Sequence, residues 1–178
     1  MGVSNEAVAC LLRDCVHLTN LVLHSPQTDV FTNNLPHLFT SDSGSNSSNF
    51  VFPALETLGL NGCHGLTNED FTHLAAIFPN LTRLSVTGIG SQVTQQGIEA
   101  LQTCPLTFLC LVDCPFVSNQ ALEALVTRCP VLRDSGRLAL RNCPALTLEG
   151  LLELPESLGF WYEMQDREDL QEMFDAFG

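Results

Sequence analysis

The sequence predicts an α/β fold: a right-handed superhelix of short strand–helix units, with a parallel sheet on its concave side and helices on its convex side. Two observations predict it. Leu55, Leu58, Leu60 and Cys63 share one spacing with Leu81, Leu84, Val86 and Ile89, and again with Leu106, Leu109, Leu111 and Cys114. After each copy comes a Ser- or Thr-led segment with helix-compatible apolar positions: Thr67 to Leu74, Thr94 to Leu101, Ser118 to Leu125. Self-similarity at a fixed period marks an architecture in which each unit buries its apolar face only by stacking on its neighbours.

In chain order, Val3 to Val8, continuing through Cys15 and Leu18, matches Val117 to Leu122, continuing through Cys129 and Leu132. The chain therefore opens part-way through a unit. Because the end of a stacked array needs a cover, the expectation is either the C-terminal part of a longer protein or a helical cap over residues 2–14. Leu18, Leu21 and Leu23 give the first strand. The run SDSGSNSS then reads as a flexible, phosphorylatable insert at 40–50, which explains the 37-residue step from Leu18 to Leu55. The three regular units follow with steps of 26 and 25 residues between equivalent leucines, inside the leucine-rich-repeat range of roughly 20–29. In the fifth copy Leu138, Leu140 and Cys143 keep the pattern, while three extra residues around Asp134, Ser135 and Gly136 displace the first leucine, Leu132. A degenerate sixth copy runs through Leu158 and Phe160. The prediction is a leucine-rich-repeat solenoid over 1–165, closed by an acidic capping helix over 166–178. In that helix Asp166 is the N-cap, and Leu170, Met173, Phe174 and Phe177 form one stripe at i, i+3, i+4 and i+7.

Seven of the eight cysteines resolve once the repeat is laid over them. Cys63, Cys114 and Cys143 occupy one position, just after a strand. Cys15, Cys104 and Cys129 occupy another, at the end of a helix, where Phe52 and Phe78 stand in other copies. A position that takes Cys or Phe wants a buried apolar group, and free Cys behaves as a small hydrophobe. No C-x-x-C pair occurs, so metal binding is not expected, nor are disulfides in a chain without a secretory signal. Cys110 alone should face the other way, since it lies between Leu109 and Leu111 on a strand.

Composition narrows the function classes. A net charge of −13 argues against nucleic acid or anionic lipid, which draw on clustered cations. No apolar run reaches eighteen residues, so no membrane span is expected, and a cytoplasmic or nuclear protein is. There is no nucleophile elbow, phosphate-binding loop or H-E-x-x-H, and the five histidines sit at unrelated repeat positions. The expectation is therefore no enzyme and no cofactor.

The pattern C-P-x-L-x-x-L-x-L-x-x-C-x-x-[LV]-[TS] is carried, one residue short between Pro105 and Leu106, by Cys104-Pro105-Leu106, Leu109, Leu111, Cys114 and Val117-Ser118. Parts of it recur in Cys129-Pro130 and in Leu58, Leu60, Cys63 and Leu66-Thr67. It resembles the cysteine-containing repeats of F-box leucine-rich-repeat proteins and their ribonuclease-inhibitor-like relatives. That resemblance implies a protein-interaction scaffold, with the repeats recognising the substrate of an SCF-type ubiquitin ligase. The ligase components themselves would be partners only through an F-box upstream of the repeats. The alternative is a free-standing scaffold or regulatory protein outside any ligase.

Period-2 alternation sends the strand leucines inward and the residues between them outward. Outward positions include Arg83, Phe108, Cys110, Arg137, Arg141 and Trp161. Arginine and aromatic residues are enriched at interface hot spots, so these six are the candidate partner-binding residues. The partner expected is a protein or peptide, acidic or phosphorylated, because Arg grips carboxylate and phosphate bidentately. All seven basic residues are arginine. A ligase receptor without lysine would offer its own enzyme no side-chain acceptor in this region, and codon bias accounts for the same absence.

Overall fold

The computed structural model describes residues 11, 14–24, 51–90 and 93–163, and for 160–163 the backbone only. The matched segment at 3–10, the insert at 40–50 and the capping helix at 166–178 lie outside the described residues.

The protein is α/β. Six strands, β1 Asn20–His24, β2 Thr57–Asn61, β3 Arg83–Thr87, β4 Phe108–Val112, β5 Arg137–Arg141 and β6 Gly159–Glu163, form one parallel sheet whose strand order follows chain order. The helices whose full extent lies among the described residues are α1 Asn68–Ile77, α2 Gln95–Ala100, α3 Asn119–Arg128, α4 Pro130–Ser135 and α5 Leu148–Leu152. A 3-10 turn over Leu101–Thr103 extends α2.

Register explains why the leucine spacing had to be constant. Leu58 pairs with Leu84, Leu84 with Leu109 and Leu109 with Leu138; Leu60, Val86, Leu111 and Leu140 form a second column. A one-residue slip would turn both columns to the opposite face. These eight side chains are almost completely buried, in one core with Phe71 and Leu74 of α1, Ile98 of α2 and Leu122 and Leu125 of α3. The core therefore fills the layer between the helices and one face of the sheet. Residues between the leucines are less buried, as in the alternation along β3, β4 and β5.

Strands β2 to β5 each leave the sheet through a residue with positive φ: Gly62 at 70°, Gly88 at 67°, Asp113 at 54° and Asn142 at 50°. Only Gly, and less easily Asn or Asp, visits this region without a steric penalty. The turn extends the ladder by one bond per unit, from Gly62 N–H to Thr87 O, Gly88 N–H to Val112 O and Asp113 N–H to Arg141 O. It also aims the next residue, Cys63, Ile89, Cys114 or Cys143, into the core, where all four are buried.

Three of the five helices start on a Ser or Thr cap bond; α2 and α4, whose N-cap is Cys129, do not. Thr67 forms a full capping box with Asp70: its hydroxyl accepts from Asp70 N–H, and the Asp70 carboxylate accepts from Thr67 N–H at 2.8 Å. This accounts for Asp70 being buried despite its charge. The Ser118 hydroxyl accepts from Ala121 N–H, and that of Thr147 from Gly150 N–H. The Thr94 hydroxyl makes no cap bond. There the preceding unit supplies the cap: Asn68 Oδ1 accepts from Thr94 N–H at 2.8 Å and Gly97 N–H at 3.1 Å, while Asn68 Nδ2 donates to Thr94 Oγ1 at 2.9 Å. Asn119 reaches Thr147 in the same manner.

The fifth unit departs from the expectation of a plain insertion. Pro130 occupies the first helical turn of α4, where its missing N–H costs nothing. The extra residues lengthen that helix, and Gly136 N–H closes it on Leu132 O. Cys104 and Cys129 are buried beside Leu101 and Leu132, and Phe78 likewise, with Phe52 half-buried against it at a ring separation of 6.0 Å. Cys15 is a correction: it is exposed. It precedes β1, the edge of the described sheet, so a neighbouring unit packs on one side only.

Candidate functional site

The face of the sheet turned away from the helices is built as three rows, one side chain per strand, by the in-phase parallel register. The first row reads Asn20, Thr57, Arg83, Phe108, Arg137, Gly159. The second reads Val22, Gly59, Ser85, Cys110, Ala139, Trp161, and the third His24, Asn61, Thr87, Val112, Arg141, Glu163. The sequence-selected residues Arg83, Phe108, Cys110, Arg137 and Arg141 all stand on this face. Trp161 is placed there by register, on the β6 position opposite Ala139.

The first row has the most distinct chemistry. Arg83 is exposed, and its guanidinium lies over the Phe108 ring with Cζ 4.9 Å from the centroid. Such stacking pins the cation by attraction to the ring quadrupole and leaves the edge N–H groups directed away from the ring. Arg137 is exposed and leans toward β6. Its Cγ lies 3.6 Å from the place a Cβ on Gly159 would occupy, an ordinary contact distance. The second row is small. Gly59 is buried under Val22, and Ser85, Cys110 and Ala139 are half-buried. In the third row Asn61 Nδ2 lies 3.3 Å from His24 Nδ1.

No Asp or Glu lies on β1 to β5. Ion pairs among the described residues include Arg128 with Glu99 at 3.4 Å, between α3 and α2, and Arg133 with Asp134 at 2.7 Å, on α4. Arg83 and Arg137 make no ion pair with a described residue. In a protein of net charge −13, this leaves a local cationic strip on the sheet.

Four of the five buried thiols are chemically quiet, while the fifth, Cys143, is shifted down by its hydrogen bond with Cys114. Burial pushes Cys63 and Cys129 up to about 11, and Cys104, with Cys129 beside it, up to about 12. Cys114 is held higher still, by its hydrogen bond to Cys143 and by burial. Since the thiolate is the nucleophile and the metal ligand, these residues serve as core filler. All seven described cysteines are free. Among the described residues, no group of three or more His, Cys, Asp and Glu side chains is placed to hold a metal ion. His24, His64 and His73 sit on β1, in the turn after β2 and on α1, with His73 Nδ1 bound to the Glu69 carbonyl of its own helix. Among the described residues, no helix is long and apolar enough to cross a membrane.

Sequence reasoning missed the positive-φ row and the Asn68 and Asn119 bridges. A signal existed for both: Gly, Gly, Asp and Asn recur at one repeat position, and the asparagines recur at another. The stacking of Arg83 on Phe108 had no such signal. No protein-family model matches the chain, and no curated protein is similar to it.

Proposed function

We propose that the protein is a leucine-rich-repeat solenoid that acts as a protein-interaction scaffold and holds an acidic or phosphorylated partner on the exposed face of its sheet. The single observation behind this is the row Arg83, Phe108, Arg137, two exposed arginines on either side of an aromatic residue, on three strands that carry no Asp or Glu. Arg and aromatic side chains are the groups that most often dominate binding energy. The solenoid reading is supported by the strand order, which follows chain order, by the constant register and by helices packed consecutively, α1 on α2 and α2 on α3. A broad sheet surface suits a binding role better than catalysis, which needs a closed pocket with convergent groups.

Within that role, the resemblance to F-box leucine-rich-repeat proteins supports recognition of the substrate of an SCF-type ubiquitin ligase, in the cytoplasm or nucleus. The test compares partners captured from cells by the wild-type chain and by the Arg137→Glu/Arg141→Glu variant, identified by mass spectrometry. A set of proteins lost from the variant, and ubiquitinated in a manner that depends on this chain, is expected. Identical partner sets for both proteins would overturn the proposal.

A further inference from the structure

We infer that Arg83 holds a single carboxylate of the partner, and that Phe108 is the positioning residue that keeps the Arg83 guanidinium ready for it. The inference rests on the reading of this face as the binding surface, and it names the residue that makes the contact and the residue that acts through it.

The pair is built into the sheet. Arg83 and Phe108 are register partners on β3 and β4, so their side chains rise from one face about 4.8 Å apart. Their backbones are tied together just before that point. Thr82 O accepts from Thr107 N–H at 2.7 Å, from Phe108 N–H at 3.1 Å and from the Thr107 hydroxyl at 3.1 Å. Leu84 and Leu109, the next residues along, are fully buried. On this fixed base Phe108 is half-buried and Arg83 exposed. An exposed arginine otherwise samples many rotamers and loses that freedom when it grips a ligand. Here the guanidinium already sits over the ring, with Cζ 4.9 Å from the centroid, so part of the loss is incurred before a ligand arrives. An exposed contact of this kind amounts to a preference of about two- to fivefold.

Charge selects the ligand. Arg83 is the one charged side chain on β2, β3 and β4, and the outward residues nearest to it on these strands include the uncharged Thr57, Ser85 and Cys110. A cation with no second cation on either flanking strand matches one negative charge. A phosphate brings about −1.5 to −2 at neutral pH and calls for more than one arginine. The guanidinium N–H groups also lie in one plane, as a fork that a planar carboxylate meets with both oxygens. An Asp or Glu side chain and the free end of a chain share this chemistry.

The test uses the full chain, labelled with a fluorophore at its amino terminus, and bead-bound libraries of randomised neutral hexapeptides, read as fluorescence retained. One library carries a single glutamate and an amidated end. A second has glutamine in its place, a third phosphoserine, and a fourth has a free C-terminal carboxylate and no glutamate. The glutamate or the free-end library should retain the wild type at least about tenfold better than the glutamine library, as expected for a charge-assisted bond. The stronger of the two names the source of the carboxylate. Arg83→Gln should fall to the glutamine level. Phe108→Leu should lower retention about two- to fivefold, while Phe108→Tyr, which keeps the ring, should bind as the wild type does. In the Arg83→Gln background Phe108→Leu should change nothing further.

Equal retention by the glutamate, free-end and glutamine libraries, or strongest retention by phosphoserine, would overturn the carboxylate. Binding that Arg83→Gln abolishes but that is equal in Phe108→Leu and Phe108→Tyr would overturn the positioning role, since a residue that only fills space is replaced as well by leucine. Carboxylate-dependent retention indifferent to Arg83→Gln would overturn the inference as a whole. If Arg137→Glu/Arg141→Glu then abolished it, the face would keep its assignment; if that variant too had no effect, the face would lose it.

Discussion

Asn68 and Gly97 are matched across neighbouring units. The Asn68 carboxamide accepts from the Gly97 N–H, and a Cβ at residue 97 would sit 2.7 Å from Asn68 Oδ1. Asn119 and Gly150 repeat the arrangement, with the Asn119 side chain lying where a Gly150 Cβ would be. Between them Gln95 replaces the asparagine, and the corresponding residue in the next unit is Ala121. Glycine thus occurs where an asparagine stands in the unit before, and alanine where none does.

Gly97→Ala should therefore destabilise the protein by about 1–3 kcal/mol through overpacking, although alanine is the better helix former. Asn68→Ala alone should cost about 1–2 kcal/mol, since it removes the acceptor for two N–H groups at the start of α2. Combining the two should recover part of the loss, and a double-mutant cycle by chemical denaturation measures the coupling. Additive costs would show that the two residues are independent.

The strand ends make a second prediction. Gly88→Ala forces a Cβ into positive φ and against His64 Cε1 at 3.1 Å, so a loss of about 1–2 kcal/mol is expected. Asp113→Gly, at the same repeat position, relieves that conformation but gives up an exposed bond from Asn142 Nδ2. Its stability should stay within about 0.5 kcal/mol of wild type. Urea midpoints separate the two outcomes.

Neighbours on β3 should respond in opposite ways. Leu84 is fully buried, and Leu84→Ala should cost about 2–5 kcal/mol. Arg83→Ala removes a solvent-exposed cation–π contact and should cost under about 1 kcal/mol. A large loss at Arg83 would mean that the cation supports the fold and is not held ready for a ligand.

The buried thiols give a pH dependence with a defined sign. Cys63, Cys104 and Cys129 ionise at about 11, 12 and 11 in the fold, against an ordinary 9.0. Above pH 9 the unfolded chain loses these protons while the fold keeps them, so proton release favours unfolding. The stabilisation is full below pH 9 and is lost as pH rises through 9 toward 11 and 12. With no lysine and one tyrosine in the sequence, few other side chains titrate there. The urea midpoint should be flat to about pH 8.5 and fall above it, less steeply for Cys104→Ala/Cys129→Ala.

Much of this was legible because repetition turns one weak signal into several aligned ones. Leu84 alone is an apolar residue in a short run; Leu58, Leu84, Leu109 and Leu138 at matched positions fix a strand, a face and a register. The same comparison separated Cys114 from Cys110. Where a unit is irregular the signal weakens: the extra residues before Gly136 look like an insertion by spacing alone, although Pro130 announces a helix start. Thr94 looked like any other N-cap, because the residue that displaces its role, Asn68, lies 26 positions earlier and acts through space. The candidate face was readable from alternation. The placement of Arg83 over Phe108 was not, since a rotamer choice leaves no trace in spacing.

Because strand order follows chain order, every pairing in the sheet closes a short stretch of chain: 37 residues from Asn20 to Thr57, then 26, 25, 29 and 22. Closure entropy grows only with the logarithm of such lengths, so going from 26 to 37 costs about 0.3 kcal/mol. No strand must wait for a distant part of the chain before it can pair. Folding can begin at any adjacent pair and spread outward, at the faster rates expected of topologies built from near-neighbour contacts.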